Sequence, residues 1–214
     1  MTKQRIGRRE FMVGAGSALA AASLRLGNDD VRGESQGAAS AKPAQTAIPR
    51  WKGFNLTYFF TKWKDATPVE DDFRMMRDWG FNFVRLPASY ELWVQPNDWY
   101  AIKEETLEKI DQVVEMGQKY GLHVSLNFHR GPGYCVNPPE EKLSLWKEPE
   151  AEKAFCWHWE MFAKRYKGIS SKELSFDLIN EPRSPDRRMS RQDYERVVRA
   201  ATKAIRDADG ERYI

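Results

Sequence analysis

From Trp51 onward, short apolar strand segments alternate with amphipathic helices, and nothing else in the sequence constrains the fold as strongly. A strand–helix–strand repeat lays its strands parallel in one sheet and its helices over that sheet. Residues 51–56 read as a short first strand. Residues 68–79 read as a helix with Phe73, Met76 and Trp79 on one face and Gly80 closing it. Residues 81–86 are a second strand, stopped by Pro87. A second helix spans 104–120, with Leu107, Ile110, Val113, Val114 and Gly117 at helical spacing and Gly121 as its C-cap. Residues 123–129 are a third strand, followed by a long loop to about residue 147 that contains Gly131-Pro132-Gly133 and Pro138-Pro139. The third helix, 149–166, turns Phe155, Trp159, Phe162 and Tyr166 inward. A fourth strand spans 174–179. The fourth helix, 190–207, is capped by Ser190 and carries a stripe of Tyr194, Val197, Val198, Ala201 and Ile205. Residues 212–214 look like a fifth strand beginning.

These are four βα units and the opening of a fifth. No strand leads into G-x-G-x-x-G or G-x-x-x-x-G-K, so a dinucleotide-binding or P-loop sheet is not indicated. The expected class is α/β, of the (β/α)8 TIM-barrel type. Such barrels typically need about 250 residues. Only 164 residues follow Arg50, so the barrel is expected to be truncated to about its first four βα units.

The first residues read differently. Arg8-Arg9-Glu10-Phe11-Met12 resembles a twin-arginine export signal, and the weakly apolar stretch Val13 to Leu24 after it is too short to span a bilayer. Small residues at Ala39-Ser40-Ala41 suit a cleavage site. The expected division is a signal and spacer over 1–41, a linker over 42–50 and the catalytic-type domain over 51–214. The expected destination is the periplasm, the cell surface or the medium. Net charge is +3, but residues 1–50 hold 8 Lys/Arg against 4 Asp/Glu, and residues 51–214 hold 26 against 27. A nearly neutral body gives no reason to expect a nucleic-acid partner, and no membrane contact is expected of the mature form. Cys135 and Cys156 do not make a disulfide framework; pairing and two buried free thiols both remain open.

In a parallel barrel, chemistry is done at the C-terminal strand ends. Strand two ends in Arg85, strand three in Asn127 and His129, and strand four in Asn180 and Glu181, followed by Pro182. Side chains alternate along a strand, so Asn127 and His129 share a face, as do Asp177 and Glu181. An arginine set in an apolar strand needs a carboxylate beside it, and Asp177 reads as a member of an interior ion pair. A general acid at neutral pH must be partly desolvated or close to a second carboxylate, and a glutamate at the top of an apolar strand has that opportunity.

Gly53-Phe54-Asn55-Leu56, then Trp79 to Pro87, then Asn127-Phe128-His129, then Asn180-Glu181-Pro182 resemble, in order, the motifs of glycoside hydrolase family 5, the cellulase family. The resemblance covers about residues 51–214. It implies that Glu181 is the general acid/base of a retaining hydrolase, with Asn180 on the 2-hydroxyl of the sugar at the cleavage point. It further implies that Arg85 holds the catalytic nucleophile and that His129 contacts the same sugar. The implied substrate is a β-linked polysaccharide of the cellulose, β-glucan or mannan type, handled without a cofactor by a protein that is a monomer when full-length. The family's nucleophile is a second glutamate at the end of strand seven, beyond the strands read here. On this reading the 214 residues alone are inactive. The alternative is a non-catalytic carbohydrate-binding remnant.

Other residues have simpler readings. His158 invites a metal, but neighbouring helical residues point apart, and His123 lies at the wrong end of its strand; no metal site is expected. Trp63, Trp93, Trp99, Trp146, Tyr58 and Phe59 lie in segments read as loops, where they either stack on sugar rings or pack beneath the loops. The Gly131–Gly133 turn is expected to shape the rim of the cleft.

Overall fold

The computed structural model describes residues 49–62, 67–183 and 189–214. The expected export signal, its cleavage site and the spacer lie outside the described residues, as do Trp63 and Asp186.

Four parallel strands form the sheet: β1 (Gly53–Asn55), β2 (Phe83–Ser89), β5 (His123–Gly131) and β7 (Leu174–Asp177), side by side in that order. Helices α1 (Glu70–Asp78), α2 (Glu104–Tyr120) and α3 (Pro149–Arg165) connect them, and α4 (Arg191–Ala208) follows β7. Tyr213 then bridges Ser175 in parallel, which begins a fifth strand beside β7. This is the half-barrel arc expected from the alternation. Two hairpins decorate it: β3 (Val94–Gln95) with β4 (Asp98–Ile102) after β2, and β6 (Tyr134–Cys135) folded back on β5.

The two faces of the sheet have opposite chemistry. Residues paired in register point the same way, so Val84, Leu86, Val124, Leu126, Phe128, Leu174 and Phe176 lie on the helix side, and all are buried. Phe128 stacks on Trp159 of α3 with centroids 3.9 Å apart, Phe162 packs edge-on against Phe128, and Trp93 packs tilted against Phe128 and edge-on to Phe162. The other face carries Phe83, Arg85, His123, Ser125, Asn127, Ser175 and Asp177. Aromatic stacking closes its lower end, where Trp51 lies 3.7 Å from the His123 ring. The polar residues gather toward the upper end.

Most helices match their sequence signals. α2 ends at Gly121 in the left-handed conformation, with φ of 66°. Ser190 caps α4 through a full capping box with Asp193. Three expectations are corrected. Trp79 does not join Phe73 and Met76: it is 67% exposed. Each three-residue step falls 60° short of a full turn, so Trp79 lies about 120° from Phe73 around the helix. Pro87 does not stop β2, which continues to Ser89 and leaves Arg85 inside the strand rather than at its end. Arg85 O accepts from Leu56 N and Ser89 N donates to Phe59 O, so the missing N–H of Pro87 faces the gap between those bonds, where β1 has already ended. The strand after α3 ends at Asp177 rather than at residue 179. Leu178 and Ile179 remain buried, and Asn180 N donates to Phe128 O at 3.0 Å, so the chain still follows β5.

The candidate sugar-stacking aromatics divide. Phe59, Trp93 and Trp146 are core residues. Tyr58 is half-buried, its hydroxyl bonded to Asp72, and Trp99 donates from Nε1 to the Tyr90 hydroxyl at 3.2 Å. Both cysteines are free thiols. Among the described residues no helix is long and apolar enough to cross a membrane, and no cluster of His, Cys, Asp and Glu is arranged to hold a metal.

Candidate active site

The polar groups at the upper end of the sheet come from three strands. Arg85 reaches from β2 across β5: its Nε donates to Asp177 Oδ2 at 2.8 Å and its Nη2 to Asn180 Oδ1 at 2.9 Å. The carboxylate that an arginine in this strand requires is therefore Asp177. Asn180 is fixed twice, by its backbone N–H on β5 and by its side-chain carbonyl on Arg85, which leaves its amide nitrogen directed away from the guanidinium. Asn127, fully buried between them, donates from Nδ2 to Asp177 O at 3.1 Å.

His129 reaches the same region through a β-bulge. The register between β2 and β5 shifts after Ala88, so that Ser89 pairs with Arg130 and His129 is the extra residue. A bulge re-aims side chains at the end of a strand. Both His129 and Arg130 are consequently buried, in different networks. His129 lies 4.2 Å from the Phe60 ring. Burial, reinforced by the nearby Arg85 guanidinium, holds its pKa below the ordinary histidine value, with Glu181 opposing. The ring is thus neutral at pH 7, with one donor and one acceptor nitrogen.

Arg130 anchors the adjacent rim. Its guanidinium donates to Glu141, Pro139 O and Asn137 O, and Glu141 also accepts from the Tyr90 hydroxyl at 2.7 Å. No sequence signal announces this network, because its members are scattered between positions 90 and 141.

Glu181 stands where the sequence places it, at the end of the β7 segment beside Asn180. Two features were not legible. Its backbone is left-handed, with φ of 42°, an uncommon conformation for a residue with a Cβ. It is also exposed, so desolvation by an apolar strand top is not what the described residues provide. Its carbonyl accepts from the Tyr134 hydroxyl at 2.7 Å. The expected shared face of Asp177 and Glu181 is thus interrupted by a turn: Asp177 is committed to Arg85 and Glu181 stands free of that pair.

The remaining histidines are structural. His123 bonds Ser175 Oγ and Lys172 O, and His158 Nδ1 accepts from Trp93 Nε1 at 3.2 Å. Burial lowers the pKa of both, that of His158 to about 4. In the unfolded chain these rings take up a proton at about pH 6.5. The unfolded state therefore binds more protons than the folded one as pH falls below that value, so stability is lost from about pH 6.5 down to about pH 4 and then levels off. His158 alone accounts for on the order of 3 kcal/mol of this loss. Urea midpoints measured between pH 7 and 4 should fall steeply, and His158→Gln should flatten that fall. An unchanged slope in the variant would refute the assignment.

Comparisons with known proteins identify the family. The family model for cellulase (glycosyl hydrolase family 5) matches residues 39–214. Cellodextrinase A of Ruminococcus flavefaciens is 37% identical over 112 residues, covering 52% of this chain and 32% of that protein. Endoglucanase C of Acetivibrio thermocellus is 31% identical over 168 residues, covering 78% of this chain and 46% of that protein. A glycoside hydrolase crystal structure superposes with a TM-score of 0.73 at 35% identity, covering 77% of this chain and 52% of that one. The chain thus spans between about a third and a half of the length of these two relatives. With the parallel arc and a family match over residues 39–214 in agreement, the chain belongs to the cellulase family, glycosyl hydrolase family 5.

Proposed function

We propose that these residues are half of the active site of a retaining glycoside hydrolase that cleaves β-linked polysaccharide of the β-glucan or mannan type. The observation that carries this reading is the placement of Asn180 and Glu181 just beyond the C-terminal end of β7, with the Arg85 side chain reaching the same end from β2 and His129 brought there by β5. Glu181 protonates the departing glycosidic oxygen and later takes a proton from water. Asn180 and the neutral His129 bond the hydroxyls of the sugar whose linkage breaks. Arg85 supplies the positive charge beside which a nucleophilic carboxylate stays ionised.

That nucleophile is a second carboxylate contributed from outside the described residues. Asp177 is held by Arg85, Asp193 caps α4, Glu195 and Asp207 pair with Arg191 and Lys203, and Asp209 pairs with Arg212. Retaining enzymes hold their two carboxyl groups about 5–5.5 Å apart, so that one attacks the anomeric carbon while the other donates a proton. The whole protein is exported through its twin-arginine-type leader, acts outside the cytoplasm as a monomer and needs no cofactor. Proton NMR of β-glucan hydrolysis by the full-length protein should show the β anomer as the first reducing end released, while the 214 residues alone give no turnover of an aryl β-cellobioside. Initial release of the α anomer, or turnover by the 214 residues, would contradict the proposal.

A further inference from the structure

The Tyr134 side chain has no role in the reading above, yet it touches the backbone of Glu181 itself. Its hydroxyl donates to Glu181 O at 2.7 Å and accepts from Arg183 N at 3.0 Å. The two bonds bracket Pro182, which has no N–H of its own to give. They close a small ring around the one peptide segment where the chain leaves β5.

That segment needs holding. Glu181 has φ of 42°, and it precedes a proline, which crowds the helical regions for the residue before it. A side chain with a Cβ left in that conformation relaxes to another unless its surroundings fix it. On the upstream side Asn180 is tied to Phe128 O and Arg85. On the downstream side Tyr134 is the partner that holds both the Glu181 carbonyl and the next available N–H.

Tyr134 is itself rigidly placed. It belongs to β6, the hairpin folded back on β5, where Gly131 pairs with Tyr134. Gly133 makes this hairpin possible: its φ is 79°, and a Cβ there would lie 2.6 Å from Leu145 N and 2.7 Å from Ala151 Cβ. Leu145 N donates to Gly133 O at 2.8 Å, so the turn is pressed onto the segment that leads into α3. The Tyr134 ring is buried against Trp146, centroids 5.2 Å apart and edge-on. The tyrosine hydroxyl thus connects the packed base of α3 to the turn that carries the carboxyl group.

We propose that Tyr134 is a positioning residue for the acid/base group: by pinning the left-handed Glu181 backbone, its hydroxyl keeps the Glu181 carboxyl in the orientation that protonates the leaving oxygen. The proposal rests on the reading of Glu181 as the acid/base. Misplacing a catalytic group by about 1 Å costs roughly 100-fold in rate. Removing one hydroxyl while the ring stays packed should therefore cost about 10- to 100-fold, and only in steps that need the proton.

In the full-length enzyme, kcat/KM reports the steps up to formation of the covalent intermediate. Tyr134→Phe should lower kcat/KM on cellotetraose, whose leaving group needs protonation. It should spare 2,4-dinitrophenyl β-cellobioside, whose leaving group departs as an anion, and lower Tm by no more than about a few degrees. In a Glu181→Ala background the same substitution should have no further effect. Equal losses on both substrates, no loss on either, or an additive loss on top of Glu181→Ala would overturn the role of Tyr134. Glu181→Ala alone is the arm that separates the two ideas. If it shows no selective loss on cellotetraose, the acid/base assignment has failed first and the positioning role falls with it.

Discussion

Glu181→Gln in the full-length protein is expected to lower kcat/KM on cello-oligosaccharides by about 100- to 10,000-fold, the range over which a positioned general acid acts. Glutamine keeps the volume of the side chain and leaves the Tyr134 bond to the 181 carbonyl in place, because that bond uses only the backbone. The site around it should stay assembled, since Arg85 bonds Asp177 and Asn180 rather than Glu181. Substrate affinity, measured by calorimetry with cellotetraose, should therefore change little while turnover is lost. Aryl glycosides with acidic leaving groups should still form the covalent intermediate, because their departure needs no proton. A variant that retains wild-type turnover of cellotetraose would show that Glu181 is a solvated surface carboxylate.

The largest stability effect is expected far from this chemistry, at Arg212. Its guanidinium is completely buried and donates to Leu174 O, Tyr166 O and Ile169 O at 2.8–3.0 Å, and to the Asp209 carboxylate. It binds together the end of α3, the turn that follows, the start of β7 and the turn after α4. Arg212→Ala leaves three carbonyls and a carboxylate without their donor in a water-excluded place. Breaking one partner of such a buried pair costs about 3–5 kcal/mol. For a domain of this size that corresponds to a fall in Tm of roughly 10 °C. Removing Lys203 from its exposed pair with Asp207 should cost about 0.5 kcal/mol or less, because solvent already screens that bond. Comparable losses for the two variants would contradict the account of Arg212.

Much of the architecture was legible because local signals and packing agreed. The spacing of Leu107, Ile110, Val113 and Val114 and the glycine at 121 define α2 from one end to the other. Ser190 with Asp193 marks the start of α4. Errors arose where tertiary context overrode a local rule. Pro87 sits inside a strand because β1 has departed on the side where its N–H would point. For Phe59, Trp93 and Trp146, in irregular segments, sugar stacking and packing were both open, and the segments fold over the aromatic core and bury them.

The candidate site was legible at strand ends for His129, Asn180 and Glu181, which each follow an apolar run, whereas Arg85 lies inside β2 and reaches the site by its length. Its internal bonding was not legible. That Arg85 needs a carboxylate follows from its place in an apolar strand, but that Asp177 supplies it, and that Arg85 reaches Asn180 as well, depends on strand order, which one sequence does not reveal. The left-handed backbone of Glu181 gave no signal, because glycine, the residue that usually marks it, is absent. Tyr134 was equally hidden. The spacing of Gly131 and Gly133 showed that the loop turns sharply, but not that the turn delivers a hydroxyl to the segment 47 residues later.

The central claim, that Glu181 serves first as acid and then as base, is tested most directly by azide rescue of Glu181→Ala in the full-length enzyme with 2,4-dinitrophenyl β-cellobioside. The variant should accumulate the covalent intermediate, because water lacks a base to activate it. Azide, already an anion, needs none and should restore turnover while attacking from the face the leaving group vacated. The predicted product is β-cellobiosyl azide, formed in proportion to the rate gained. No rate gain with azide, or an α-configured azide, would contradict the account.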